Sequence, residues 1–267
     1  MSNISHKSLG KLNCYVEGFT GHLVFDNPSK FNAITYDMWC ELPGAIDAFV
    51  ANSAVRVIVL SGAGEKAFVS GADISQFGQE REGSNSQRYN QATELGYGAV
   101  LDCVKPTIAK VRGICMGGGL GLALNCDVRI CADDAKFRMP AGRLGLGYAF
   151  DGVKRFTEVL GVSNTADLFY SARIFDANEA LRMGLVKQVL PANELDAFVQ
   201  SFSLMVSENA PRTLAAVKRA LIELRKNPDS RNIELINSMV QDCFDSEDYY
   251  EGRRAFAEKR KPIFKNQ

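Results

Sequence analysis

The chain of 267 residues is 46% hydrophobic and 23% charged, which excludes a disordered polypeptide and supplies a sizeable core. Its 31 Lys and Arg balance 31 Asp and Glu, so no net basic field draws nucleic acid or anionic lipid to it. Seven cysteines without a CxxC pair predict reduced, mostly buried thiols, and two histidines argue against a histidine-rich metal site.

Met1 to Gly10 is short and polar and carries no secretory pattern. The longest glycine-rich apolar run, Gly113 to Cys126, is too short to span a bilayer. A cytoplasmic protein without a membrane segment is the expectation. Leu12 to Glu17 and His22 to Asp26 flank Gly18-Phe19-Thr20-Gly21 and predict a hairpin. Thr35 then stands as an N-cap before Trp39, Leu42, Ile46 and Phe49, one apolar face of a helix. Pro43 inside that pattern predicts a late start or a kink.

Val55 to Leu60 (VRVIVL) is the mark of a strand buried on both faces. A polar stretch, Gln79 to Gln91, leads to a helix through Val100 and Leu101, then to an extended segment from Thr107 to Val111. An apolar helix follows Gly117-Gly118-Gly119, and Asp127 to Ala132 is a further strand. The alternation predicts an α/β domain with largely parallel strands.

Asp176-Ala177-Asn178-Glu179 has the pattern of a capping box, with Gly184 as the helix stop. Leu185 to Leu190 is extended, and Pro191 opens more helix. Leu214, Val217, Leu221 and Leu224 fall on one helical face, with Lys218, Arg219, Arg225 and Lys226 largely on the other. A densely charged stretch bearing Tyr249, Tyr250, Phe256 and Phe264 ends the chain. Two parts are expected, an α/β core over 1–200 and a helical region over 201–267, packed together because no flexible linker separates them.

Chemistry can sit at two places. Met116 to Gly121 (MGGGLG) exposes backbone N–H groups at a helix N-terminus, where orphan donors and the helix dipole favour an anion. Close helix–strand packing accounts for the same glycines. Neither G-x-G-x-x-G nor a Gly-Lys-Ser/Thr phosphate loop is present. Ala67 to Ile74 (AFVSGADI) supplies small residues after a strand, which serve either an ordinary turn or a close backbone approach to a ligand.

Taken together these segments resemble the crotonase (enoyl-CoA hydratase/isomerase) family. The resemblance runs through Asn27-Pro28, Asn32-Ala33-Ile34, Val57 to Gly62, Phe68 to Ile74, Lys105-Pro106 and Gly113 to Asp127. It continues through Phe137, Pro140, Gly145, Ala177 to Ala180, Gly184 to Val186 and Glu251 to Phe264. It implies a crotonase-like spiral of repeated β-β-α units and a C-terminal helical region that builds trimers or hexamers. It also implies an acyl-CoA substrate, with coenzyme A entering as part of the substrate and no separate cofactor. The Ala72 and Gly118 amides would stabilise a thioester enolate. Asn32, Ala33, Ser70, Ala72, Asp73 and Ile74 would lie along the coenzyme A moiety, with Phe256 and Lys259 near its phosphates. A solvated helix face is the other account of Lys259.

Hydratases of this family use two glutamates, where this chain has Gly121 and Ala141. Neither can move a proton. The loop that follows offers Asp151 as acid or base, desolvated between Phe150 and Val153, with Tyr148 as a hydroxyl donor. Helix capping, or pairing with Lys154 or Arg155, is the competing account of Asp151. Glu94 lies on the preceding helix as a further candidate, more simply a solvated one. Three functions follow: an acyl-CoA enzyme (hydration, isomerisation, decarboxylation or hydrolysis), an acyl-CoA-binding module without turnover, or an RNA-binding protein. The neutral charge argues against the last.

Overall fold

A computed structural model describes residues 10–73 and 85–265. The chain opens with an antiparallel hairpin of Lys11–Glu17 (β1) and Thr20–Asp26 (β2), joined by only Gly18 and Phe19 because Thr20 and Gly21 already pair with Glu17 and Val16. Tyr36–Ala51 (α1) follows. Three turns of a spiral come next, each laying down a strand, a second shorter strand and then a helix. They are Val57–Gly62 (β3), Ala67–Val69 (β4) and Asn85–Leu101 (α2); Thr107–Val111 (β5), Ile114–Met116 (β6) and Gly118–Asn125 (α3); Val128–Ala132 (β7), Lys136–Arg138 (β8) and Phe150–Ser171 (α4). Phe175–Asp176 (β9), Ala177–Arg182 (α5) and Gln188–Leu190 (β10) close the spiral.

The first strands of the turns align parallel in a six-stranded sheet of order β1-β2-β3-β5-β7-β10. The short strands form a second sheet of order β4-β6-β8-β9. The corner between β5 and β6 is tight: Gly113 has φ +57°, and a Cβ there would lie 2.1 Å from the Lys66 carbonyl oxygen. Only glycine passes this point.

Side-chain alternation explains the apolar run in β3. Ile58 and Leu60 enter the main core with Phe25, Phe68, Leu120 and Phe137. Val57 and Val59 face the other way, onto Ile108, Ile130, Leu195 and Val199. Leu195 and Val199 belong to Leu195–Ser207 (α6), which covers the outer face of the large sheet. The expected boundary at residue 200 therefore falls inside a helix that is part of the core. The covering face had to be buried, and α6 is the element that buries it.

The N-cap at Thr35 is realised, its Oγ1 accepting the Met38 N–H at 3.2 Å. Helix α1 starts directly after it and runs through Pro43 unbroken, so no late start occurs. The buried face Met38, Trp39, Leu42, Ile46 and Phe49 holds both halves against the core. Asp176 caps α5 through the Glu179 N–H at 2.9 Å, yet the box stays open because the Glu179 carboxylate pairs with Arg173.

Pro211–Leu224 (α7), Ile233–Phe244 (α8) and Glu247–Ala257 (α9) complete the chain. Helix α7 does not divide into an apolar face inside and a charged face outside. Val217, Leu221 and Leu224 are exposed, while Lys218 and Glu223 are buried. Lys218 is tolerated inside because its Nζ meets Asp127 Oδ1 at 2.5 Å, and Asp127 Oδ2 accepts from Thr107 N and Oγ1. Past α9 the tail folds back: Glu251 accepts from Arg260 and from the Ile263 N–H. Arg56 then binds two distant carbonyls, Ser207 at 3.0 Å and Phe264 at 2.7 Å, with its guanidinium over Phe19.

Candidate active site

Two segments from different turns of the spiral meet at Ala72 and Gly118. The Ile34 N–H donates to the Gly71 carbonyl at 2.8 Å and the Asp73 N–H to the Ile34 carbonyl at 2.9 Å, so residues 71–73 run as a short parallel bridge beside Ile34. This pairing uses the amides on either side of Ala72 and leaves its own N–H undonated among the described residues. Gly118 begins α3 and has no carbonyl one turn behind it, so its N–H is likewise uncommitted. Gly117, at φ +51°, turns the chain sharply from β6 into the helix. A Cβ on Gly118 would lie 3.5 Å from the Ala72 nitrogen, and a Cβ on Gly119 would strike the Val69 carbonyl oxygen at 2.2 Å. The glycine run thus serves close packing at Gly119 and an open donor at Gly118.

The same space is walled by Trp39 and Tyr97. Tyr97 Oη donates to the Gly118 carbonyl at 3.0 Å, and the two rings pack edge to face at 4.9 Å. Trp39 is 1% exposed, and its indole N–H has no partner among the described residues. A Cβ on Gly121 would lie 2.9 Å from Tyr97 Oη, so the hydroxyl fills the space that a side chain at 121 would enter. Ala141 is buried directly after Pro140, whose ring lies against Gly117. Sequence reading missed Trp39 and Tyr97 as site residues. Trp39 reads only as part of an apolar helical face, and nothing in the sequence places Tyr97 beside Gly121.

The other expected residues separate into groups. Asn32 is 1% exposed and fully engaged: Oδ1 accepts from the Asn27 N–H, and Nδ2 donates to the Ala63 and Ala67 carbonyls. Its side chain ties turns of the backbone together and has no group left for a ligand. Ala33 is buried beside it, its carbonyl held by Asn27 Nδ2 at 3.0 Å. Ser70 Oγ donates to the Lys30 carbonyl, and buried Asp73 pairs with Lys30 Nζ at 2.6 Å. These residues build the frame under Ala72. Ile74 lies outside the described residues.

Asp151 is exposed in the first turn of α4, next to Phe150 at 80% exposure, so the expected desolvation is not found. Its capping role is not found either, since Ala149 occupies the N-cap position. Tyr148 is enclosed between Phe156 and Phe169, and burial pushes its hydroxyl up to about 12. It is a donor across the physiological range. Glu94 is exposed. Phe256 and Lys259 are exposed on the C-terminal region; Phe256 lines an apolar cavity of about 620 Å³ with Ala216, Val240, Phe244 and Phe264, none of them near the Ala72–Gly118 pair in sequence.

A family model described as enoyl-CoA hydratase/isomerase matches residues 20–267. The chain belongs to the crotonase, or enoyl-CoA hydratase/isomerase, family. Among crotonases it is 31% identical to a short-chain-enoyl-CoA hydratase of Clostridium acetobutylicum, over 92% of this chain and 94% of that protein. It is 30% identical to a peroxisomal Delta(3,5)-Delta(2,4)-dienoyl-CoA isomerase of Arabidopsis thaliana, over 99% of each. The crystal structure of an enoyl-CoA hydratase/carnithine racemase from Magnetospirillum magneticum superposes with a TM-score of 0.90 at 30% identity, covering 99% of each chain. The crotonase spiral expected from the sequence is therefore the fold. Among the described residues, no helix is long and apolar enough to cross a membrane.

Proposed function

We propose that this crotonase processes acyl-CoA thioesters through an enolate stabilised by the Ala72 and Gly118 amides. What supports the reading is a pair of N–H groups, uncommitted among the described residues, on backbone segments that lie close together. Each preorganised donor of such a pair is worth about 10² to 10³ in rate. The names of the relatives, a hydratase and an isomerase of enoyl thioesters, support coenzyme A thioesters as the substrate class. On this reading the backbone around Ala33 and Ser70 borders the coenzyme A moiety, with Asp73 and Ile74 beside it. Phe256 and Lys259 approach its phosphates from the C-terminal region of a neighbouring subunit in a trimer.

Gly121 and Ala141 supply no carboxylate, so crotonyl-CoA hydration is expected to be slower than in a two-glutamate hydratase by at least about 10² to 10⁴. The same two residues favour a second reading, a binder that keeps the donor pair without turnover. A mass-spectrometric screen of acyl-CoA thioesters separates the two, with Gly118→Pro as control. Proline is accepted at the first helical position and removes the N–H. Turnover should vanish in this variant; a folded Gly118→Pro protein with full activity overturns the reading.

A further inference from the structure

The donor pair has a neighbour whose placement asks for a reason. Tyr97 is only half-buried, and its hydroxyl, which donates to the Gly118 carbonyl, stands beside the donor pair. Its Oη lies 3.4 Å from the point where a Gly118 Cβ would stand, and the Ala72 nitrogen lies 3.5 Å from that same point. One hydroxyl and one uncommitted amide thus border a single spot off the Gly118 backbone. Gly121 makes this possible, since a Cβ there would reach Oη at 2.9 Å. Among the described residues, Asp73 is held by Lys30, Glu94 and Asp151 are exposed, and Tyr148 is enclosed by Phe156 and Phe169.

Resting on the enolate reading, we propose that Tyr97 is the residue that delivers the proton to the α-carbon of the bound enolate. The enolate electron pair forms the new C–H bond, and the Oη–H bond breaks. The phenolate left behind is reprotonated by solvent water, and its bond to the Gly118 carbonyl is then restored. In the reverse direction the phenolate removes the α-proton. Trp39 positions the ring, and Gly121 keeps the hydroxyl's place open.

Hydrogen exchange reads this step without knowledge of the natural substrate. Butyryl-CoA incubated with the protein in D₂O at pD about 8.5 should gain deuterium at the α-carbon. Tyr97→Phe keeps the ring and should bind butyryl-CoA as wild type does by calorimetry, while exchange falls about 10²-fold or more. Gly121→Ala pushes the hydroxyl aside without altering it, so it should lose exchange similarly, and the double variant should lose little more than either single one. Exchange at the wild-type rate in Tyr97→Phe would reduce Tyr97 to a structural bond and overturn the assignment, leaving the enolate reading intact. Wild type that binds butyryl-CoA without exchanging it overturns the assignment as well. Wild type that binds no acyl-CoA removes the enolate reading and this inference with it.

Discussion

Cys126 and Cys131 are fully buried, and burial pushes both thiols up from an ordinary 9.0 to about 12. Below pH about 9 the folded and unfolded chains both keep these protons, and stability is at its full value. As pH rises from about 9 towards 12 the unfolded chain ionises and the folded one does not, so stability is lost at up to about 1.4 kcal/mol per pH unit for each thiol. Urea midpoints should stay level from pH about 7 to 9 and fall above it, less steeply in Cys131→Ala; an unchanged slope in that variant removes the explanation. Burial of the thiols was only partly legible, because Cys14 and Cys40, set in equally apolar stretches, are exposed. At the site, the Gly117 to Gly119 run was legible through what glycine alone permits. Asn32 was legible as a special position, yet its bonds join backbone carbonyls from other segments, which no local pattern displays. Tyr97 meets Gly121 across two helices, so only the folded chain brings them together.

Helix α7 shows what a period of 3.6 can and cannot say. The apolar row Val217, Leu221 and Leu224 is real, but the helix turns it outward and buries Lys218 against Asp127. The deciding partner lies 91 residues away in sequence, beyond the reach of a local hydrophobic pattern. Lys218→Met should cost about 3 kcal/mol, the lower end for breaking a buried pair, because Asp127 keeps its Thr107 bonds and remains a quarter exposed. Urea denaturation measures it, and an unchanged midpoint would show that the pair carries no net stability. By contrast, β3 and α1 were read well because each is decided by its own residues: alternation on two buried faces, and a cap followed by one apolar stripe.

For the whole molecule, the row on α7 and the cavity beside it are the largest consequence of how that helix is turned. Val217, Leu221 and Leu224 are 54%, 50% and 61% exposed, a stripe that a lone subunit would leave in water. The trimer proposed for this chain assigns the stripe to a neighbour. Light scattering at micromolar concentration should give a trimer or hexamer, and Leu221→Glu should lower the mass towards that of one chain while the circular dichroism stays native. A wild-type monomer would end that proposal. The spiral itself was legible as alternation of strand and helix, but its division was not, because α6 serves the sheet beneath it and not the helices after it.

Arg56 gives this architecture a direction in time. Its guanidinium binds carbonyls 151 and 208 residues further along, so one of its two partners does not exist until residue 264 has been made. Contacts of such separation close late, and a nascent chain meets the second of these only after residue 264 has been made. A ribosome-bound chain halted before that residue would carry a cation with one contact missing and a tail not yet tied to β3. Docking of this tail is thereby tied to the synthesis of residue 264, through an arginine made 208 residues earlier.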